Sequence, residues 1–180
     1  MKFRTGCVAV GFLSLVLSLS AQTFTSLVSF NGSNGAYPES MSLVQGTDGN
    51  LYGTAPSGGA HSGGTVFKVT PTGTLTTLYS FCAQTNCTDG EEPLAGLVLA
   101  TNGTFYGTTS VGGANGDGTV FSITAGGTLT TLHSFDLTDG AYPTAALIQG
   151  RDGNFYGTTV EGGPPPQTRE PSFASRQEVR

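Results

Sequence analysis

The sequence predicts an all-β fold assembled by repetition, and three observations carry that expectation. A turn followed by a short aromatic strand occurs three times, as Thr47-Asp48-Gly49-Asn50-Leu51-Tyr52-Gly53-Thr54, as Thr101-Asn102-Gly103-Thr104-Phe105-Tyr106-Gly107-Thr108-Thr109 and as Arg151-Asp152-Gly153-Asn154-Phe155-Tyr156-Gly157-Thr158-Thr159. Other aromatics keep the same period: Phe30, Phe81 and Phe135 are 51 and 54 residues apart, and Phe67 and Phe121 are 54 apart. Finally, 28 glycines and only 11% charged residues, with Leu, Val, Phe and Tyr spread between the glycines, fit short apolar strands joined by tight turns rather than disorder.

Taken in order, the chain opens on a targeting signal. Lys2 and Arg4 form a basic n-region, Val8–Leu19 an apolar h-region, and Ser18, Ser20 and Ala21 a small-residue cleavage site. Residues 1–21 are therefore expected to be a signal peptide cleaved after Ser20 or Ala21. The apolar run is short for a membrane span, which disfavours an N-terminal anchor, and no Cys follows it as a lipidation site.

Residues 22–163 form the tandem-repeat domain, with units at about 31–81, 82–135 and a partial 136–163. Each unit begins after a Phe with a turn ending in Pro38, Pro93 or Pro143. A short apolar strand follows (Leu43-Val44-Gln45, Leu97-Val98-Leu99, Leu147-Ile148-Gln149), and the Asp-Gly or Asn-Gly turn joins it to the Tyr strand as a hairpin. After a glycine pair (Gly58-Gly59, Gly112-Gly113, Gly162-Gly163) comes a third strand, Gly64–Thr70 or Gly118–Thr124. A Gly turn then leads to a fourth, Thr74–Phe81 or Thr128–Phe135, and Phe24–Phe30 reads as a lone copy of this fourth strand.

Strand alternation puts Phe67 and Val69 on one face of the third strand and Val66 on the other. In the fourth, it puts Leu75 and Phe81 on one face and Leu78 opposite. With apolar residues on both faces, each sheet needs a neighbour on either side. The expectation is an incomplete β-propeller-like array of about three antiparallel four-stranded blades, the last one truncated.

The repeat, with its Asp-Gly-Asn-Leu-Tyr-Gly-Thr core, Gly-Gly pair, Gly-Thr-Val-Phe-Lys-Val and Gly-Thr-Leu-Thr-Thr-Leu-Tyr-Ser-Phe, resembles the GloVer tandem repeat of secreted bacterial proteins over about Phe24 to Gly163. The resemblance implies export and a repeat array, often ahead of one of several C-terminal sorting anchors. It implies no established catalytic activity, so no catalytic residues carry over. The chain departs from the pattern in having fewer than three full units, and in replacing the third unit's Gly-Thr-Val-Phe strand with Pro164-Pro165-Pro166 and then Gln167–Arg180. Residues 164–180 are expected to be a disordered, off-pattern tail, such as a truncated or frame-shifted reading frame would produce; a functional Pro-rich tail is the alternative.

Signal cleavage removes Lys2 and Arg4 and none of the 12 acids, so the net charge moves from −5 to −7. That acidity argues against nucleic acid and anionic membrane surfaces as partners. Cys7 leaves with the signal. Cys82 and Cys87 remain, in an insertion peculiar to the second unit, and in an exported chain they are expected to form a disulfide rather than a metal site.

The acidic turn Asp89-Gly90-Glu91-Glu92 lacks the spacing of a calcium loop and reads as a solvated turn. Tyr52, Tyr106 and Tyr156 suit packing between sheets better than a carbohydrate platform, whereas Tyr37 and Tyr142 are candidates for an exposed contact. His133 occupies the slot of Tyr79, His61 has no equivalent, and no Ser-His-Asp set or phosphate loop stands out. Asn31-Gly32-Ser33, Asn86-Cys87-Thr88 and Asn102-Gly103-Thr104 match a glycosylation pattern by chance.

The functional expectation is an exported, non-enzymatic binding or scaffolding surface without a cofactor, acting through self-association or an extracellular glycan or protein. The alternatives are a propeller-type glycan hydrolase or lyase, with Asp89, Glu92, Asp136 and Asp139 converging in one cleft, or a gene remnant without activity.

Overall fold

The computed structural model describes residues 24–38 and 41–163, so the expected signal peptide and the 164–180 tail lie outside the described residues. Strands β1 (Val44–Gln45), β2 (Leu51–Ala55), β3 (Thr65–Val69) and β4 (Leu75–Ser80) form one antiparallel sheet in chain order. Strands β5 (Val98–Leu99), β6 (Phe105–Thr109), β7 (Thr119–Ile123) and β8 (Leu129–Ser134) form a second with the same topology, and β9 (Ile148–Gln149) pairs with β10 (Phe155–Tyr156). These are two complete blades and the first half of a third. Strands β1 and β5 approach one another, so the sheets converge at their first strands, as propeller blades do around a hub.

The hairpins follow from a single turn chemistry used repeatedly. In the first, the Gly46 amide donates to the Asn50 carbonyl at 2.8 Å and the Gly49 amide to the Gly46 carbonyl at 3.0 Å. Gly49 has φ of 80°, left-handed backbone that costs a glycine little, and the result is a three-residue loop closed by that glycine. The same bonds recur at Gly103 and Gly153, and again between β3 and β4 at Gly73.

One expectation about the faces is corrected. Leu75 and Phe81 do not share a face. Val66 pairs with Tyr79 but Phe67 with Thr77, which leaves Leu78 as the extra residue of a β-bulge. The bulge shifts the alternation by one. Leu75 therefore packs with Phe67 and Val69, whereas Leu78, Tyr79 and Phe81 pack on the opposite side. The second blade repeats the bulge between Val120 and Phe121.

The core is consequently layered between the sheets. Tyr52, Val66 and Phe81 of the first blade meet Leu97, Phe105, Phe121 and Ile123 of the second. Val120 and Phe135 then meet Leu147 and Phe155 of the third unit. Tyr52 stacks on Phe105 with centroids 4.2 Å apart, and Tyr106 on Phe155 at 4.0 Å. Phe81 meets Phe121 edge to face at 5.1 Å.

Residues 24–30 are not a strand, which corrects the reading of a lone fourth strand. Among the described residues no third strand stands beside them to supply a hydrogen-bonding ladder. They nevertheless occupy the fourth-strand place. Phe30 lies edge to face on Phe67 at 4.9 Å, and the Leu27 carbonyl sits over Gly73 as the Leu78 carbonyl sits over Gly127.

Candidate functional site

The insertion loop of the second unit gathers several polar side chains. Cys82 and Cys87 are joined by a disulfide across one tight helical turn at Thr85–Cys87. Glu91 lies with the two sulfurs in a group within 4.8 Å, but sulfurs bonded to each other offer no thiolate for a metal.

Asp89, expected in a solvated turn, is fully buried. The correction has a plain cause. Its carboxylate accepts from the Tyr79 hydroxyl at 2.9 Å and from the amides of Ala83 at 3.0 Å and Gln84 at 3.2 Å, so it closes the insertion loop from within. Burial, and then the hydrogen bond to Asp89, push the Tyr79 phenol up to about 12.

His133 and Asp139 reproduce this pairing one unit later, with Nε2 2.7 Å from Oδ2, and His133 lies edge to face on Phe135 at 4.9 Å. The sequence placed His133 in the Tyr79 slot, yet the shared acidic partner went unnoticed. The signal was there, since each aromatic precedes its Asp by a short loop. His61 is exposed on a turn of the first unit.

The recurrent hairpin acids are tied to the recurrent tyrosines four residues on. The Tyr52 hydroxyl donates to Asp48 Oδ2 at 2.8 Å and the Tyr156 hydroxyl to Asp152 Oδ2 at 2.5 Å. In the middle unit the polarity reverses, and Asn102 Nδ2 donates to the Tyr106 hydroxyl at 3.4 Å. The tyrosine hydroxyls hold Asp48 and Asp152 below the usual carboxylate value, while burial pushes Tyr52 up to about 12. Tyr52 lies wholly inside the stack, so its ring presents no carbohydrate platform.

Of the four carboxylates named for an enzymatic cleft, Asp89, Asp136 and Asp139 serve the loops around them and Glu92 faces solvent. Asp89 is spent as described, and Glu92 is exposed, accepting from the Ser110 hydroxyl at 3.4 Å. Asp136 accepts from the Thr138 hydroxyl at 2.6 Å, which is the main cause of its lowered pKa. Asp139 pairs with His133 and also accepts from the Asp136 amide at 3.1 Å. The glycine pairs are likewise engaged: the amides of Gly59, Gly113 and Gly163 donate to the carbonyls of Gly32, Cys87 and Leu137.

The residues before the prolines share an unforeseen conformation. Tyr37, Glu92 and Tyr142 have φ of 57°, 54° and 55°. This strained geometry is held because the amides of Glu92 and Tyr142 reach back to the Gly63 and Asp117 carbonyls at 2.9 Å, clipping each unit to the one before. Tyr37 is 69% exposed and Tyr142 is half-buried, so of the two contact candidates Tyr37 is the more exposed.

Apolar surface is exposed at both ends of the array. Leu43 is 51% exposed on the first unit, beside a groove lined by Leu27, Phe30, Met41 and Leu51, and Ile148 is 65% exposed on the third. Among the described residues, no helix is long and apolar enough to cross a membrane.

A search of the curated proteins finds no match. Among solved structures, the catalytically inactive virginiamycin B lyase from Staphylococcus aureus with quinupristin is 17% identical with a TM-score of 0.44, the match covering 69% of this chain and 36% of that one. A protein described as a gluconolactonase is 15% identical with a TM-score of 0.46, covering 66% of this chain and 40% of its own. The chain thus spans well under half the length of either structure. The profile of the Gloeobacter/Verrucomicrobia repeat matches residues 14–167, and with the recurring strands, turns and inter-blade aromatics in place the chain belongs to that family.

Proposed function

We propose that this chain is an exported, non-enzymatic repeat protein that works as a binding or scaffolding surface. One observation carries the reading: the carboxylates that the repeats place at recurring positions are occupied by their own turns. Asp48 and Asp152 hold tyrosine hydroxyls, and Asp89 holds two amides and a phenol. The repeats then serve to present surface, with Tyr37 and the two apolar ends among its exposed features. Export is supported by the n-region and h-region before Gln22 and by a disulfide at Cys82 and Cys87, which persists in oxidising compartments.

Incubation of the purified chain with a polysaccharide panel should give neither hydrolysis nor elimination products. Turnover that disappears in an Asp139→Asn variant would establish the enzymatic alternative instead. Expression in a bacterial host, followed by N-terminal sequencing, should give a chain beginning at Ala21 or Gln22; an intact Met1 terminus would refute export by cleavage.

A further inference from the structure

Among the described residues, the third unit keeps a socket without the ring that fills it in the two complete blades. In the two complete blades the outer edge of the second strand carries a third strand along its whole length, Leu51 to Ala55 against Val69 to Thr65 and Phe105 to Thr109 against Ile123 to Thr119. The corresponding stretch of the third unit, 155–159, has β9 on one side and, among the described residues, no strand on the other.

Beside that free edge lies an apolar cavity lined by Val120, Phe135, Leu147, Phe155, Gly157 and Thr158. Its position identifies what it is shaped for. In each complete blade a third-strand phenylalanine lies over the glycine of the second strand. A Cβ on Gly53 would come within 2.9 Å of Phe67 Cζ, and one on Gly107 within 2.7 Å of Phe121 Cζ. The same rings pack edge to face on the phenylalanine in the place that follows the preceding fourth strand, Phe67 on Phe30 and Phe121 on Phe81. Gly157 and Phe135 preserve both walls of this socket, yet a Cβ on Gly157 would meet only Leu147 Cδ2 at 2.7 Å.

A second observation marks the interface as incompletely seated. Thr54 donates to the Ala95 carbonyl of the next unit at 2.8 Å. Its counterpart Thr108, which also lines the cavity and is 2% exposed, has a buried hydroxyl with no partner, and Ala145, the counterpart of Ala95, is exposed. At the spacing of the complete units the third-strand place falls at 169–173, Arg-Glu-Pro-Ser-Phe, where Pro171 stands in the phenylalanine's position and carries no amide hydrogen to pair with this edge.

We propose that the free edge at 155–159 and the Phe135–Gly157 socket form a docking site for an extended strand from another polypeptide, of the repeat's own third-strand chemistry: Gly-Thr-Val-Phe followed by alternating polar and β-branched residues. Backbone hydrogen bonds along the edge give affinity, and one phenylalanine ring in the socket gives specificity. The site continues an interface that the chain itself builds twice, and β3 and β7 are its internal templates. The proposal goes beyond the functional reading above and does not rest on it, because strand binding and polysaccharide turnover are measured independently.

The test is fluorescence anisotropy of a labelled peptide with the sequence of residues 117–125, titrated with the full chain. Saturable binding is expected, weakened at least tenfold by Phe121→Ala in the peptide and at least tenfold by Gly157→Leu in the protein, which fills the socket. Leu43→Ser, at the opposite end of the array, should leave binding unchanged. The peptide variant uses unmodified protein, so the test stands even if Gly157→Leu does not fold. Absence of saturable binding, or binding indifferent to the phenylalanine, overturns the proposal. So does binding that appears only after residues 164–180 are removed, because the chain's own tail would then be the occupant.

Discussion

Asp89 illustrates how much a single buried carboxylate organises. Replacing it with Ala leaves a phenol and two amides without their acceptor. The expected loss is about 3 kcal/mol, read from urea denaturation. Breaking the disulfide beside it with Cys82→Ser and Cys87→Ser should cost about 2 kcal/mol or less, because the closed loop is very short. If the two losses came out in the reverse order, the carboxylate would not be the main support of the loop.

The tyrosines give a pH signature. Tyr52 and Tyr79 titrate at about 12 when folded, against 10 for a free phenol, so their contribution is complete below pH 10 and declines as pH rises from 10 towards 12. Melting temperature should fall across that window, and Tyr52→Phe should reduce the fall. On the acid side Asp48 and Asp152 sit below their ordinary 3.8 when folded, so their contribution is present above that value and lost as pH drops through the lower folded values. Little of this was legible beforehand. The sequence shows Asp48 and Tyr52 four apart, but it takes the hairpin to show that one caps the other. Asp89 looked solvated because an acidic turn usually is, and only the insertion folding over it buries it.

At the scale of the element, the sequence was informative where a local rule sufficed. The hairpin turns, the four-strand order and the stacking of the Tyr strands were readable from glycine placement and spacing. The bulge at Leu78 was not, since nothing in Thr74–Phe81 distinguishes a strand with one extra residue from a regular one. The exchange of faces is a tertiary outcome: it lets Leu75 cover one neighbouring layer while Phe81 covers the other. The strand-two glycines allow a sharp comparison. Gly107→Ala drives a methyl against Phe121 Cζ and Leu97 Cδ2, within 2.7 and 2.9 Å, and should cost about 1–3 kcal/mol. Gly157→Ala meets only the end of the Leu147 side chain and should cost distinctly less in the same thermal melts. Equal losses would mean that the third unit is packed like the second.

For the whole molecule, periodicity sets the blade count, and apolar residues on both faces of each sheet set the need for a neighbour on either side. Neither could give the cross-unit bonds from Glu92 to Gly63 and from Tyr142 to Asp117, which depend on left-handed backbone before proline. With apolar residues uncovered at both ends, the chain is expected to associate, giving a light-scattering mass above that of one chain. Leu43→Asp combined with Ile148→Asp should shift it towards a single chain. A wild-type chain that stays monomeric at high concentration would show that these ends tolerate water.

The fourth strand has a consequence for how such a chain grows. The ring that follows it, Phe81 or Phe135, with Phe30 in the same place before the first unit, finishes one repeat in sequence but belongs to the socket of the next. The stretch copied by a gene duplication and the stretch that packs as a body are therefore out of phase by one strand. Any fifty-residue window, wherever it is cut, brings its own half of each joint and finds the other half waiting, so length can drift by whole repeats without a new interface having to evolve.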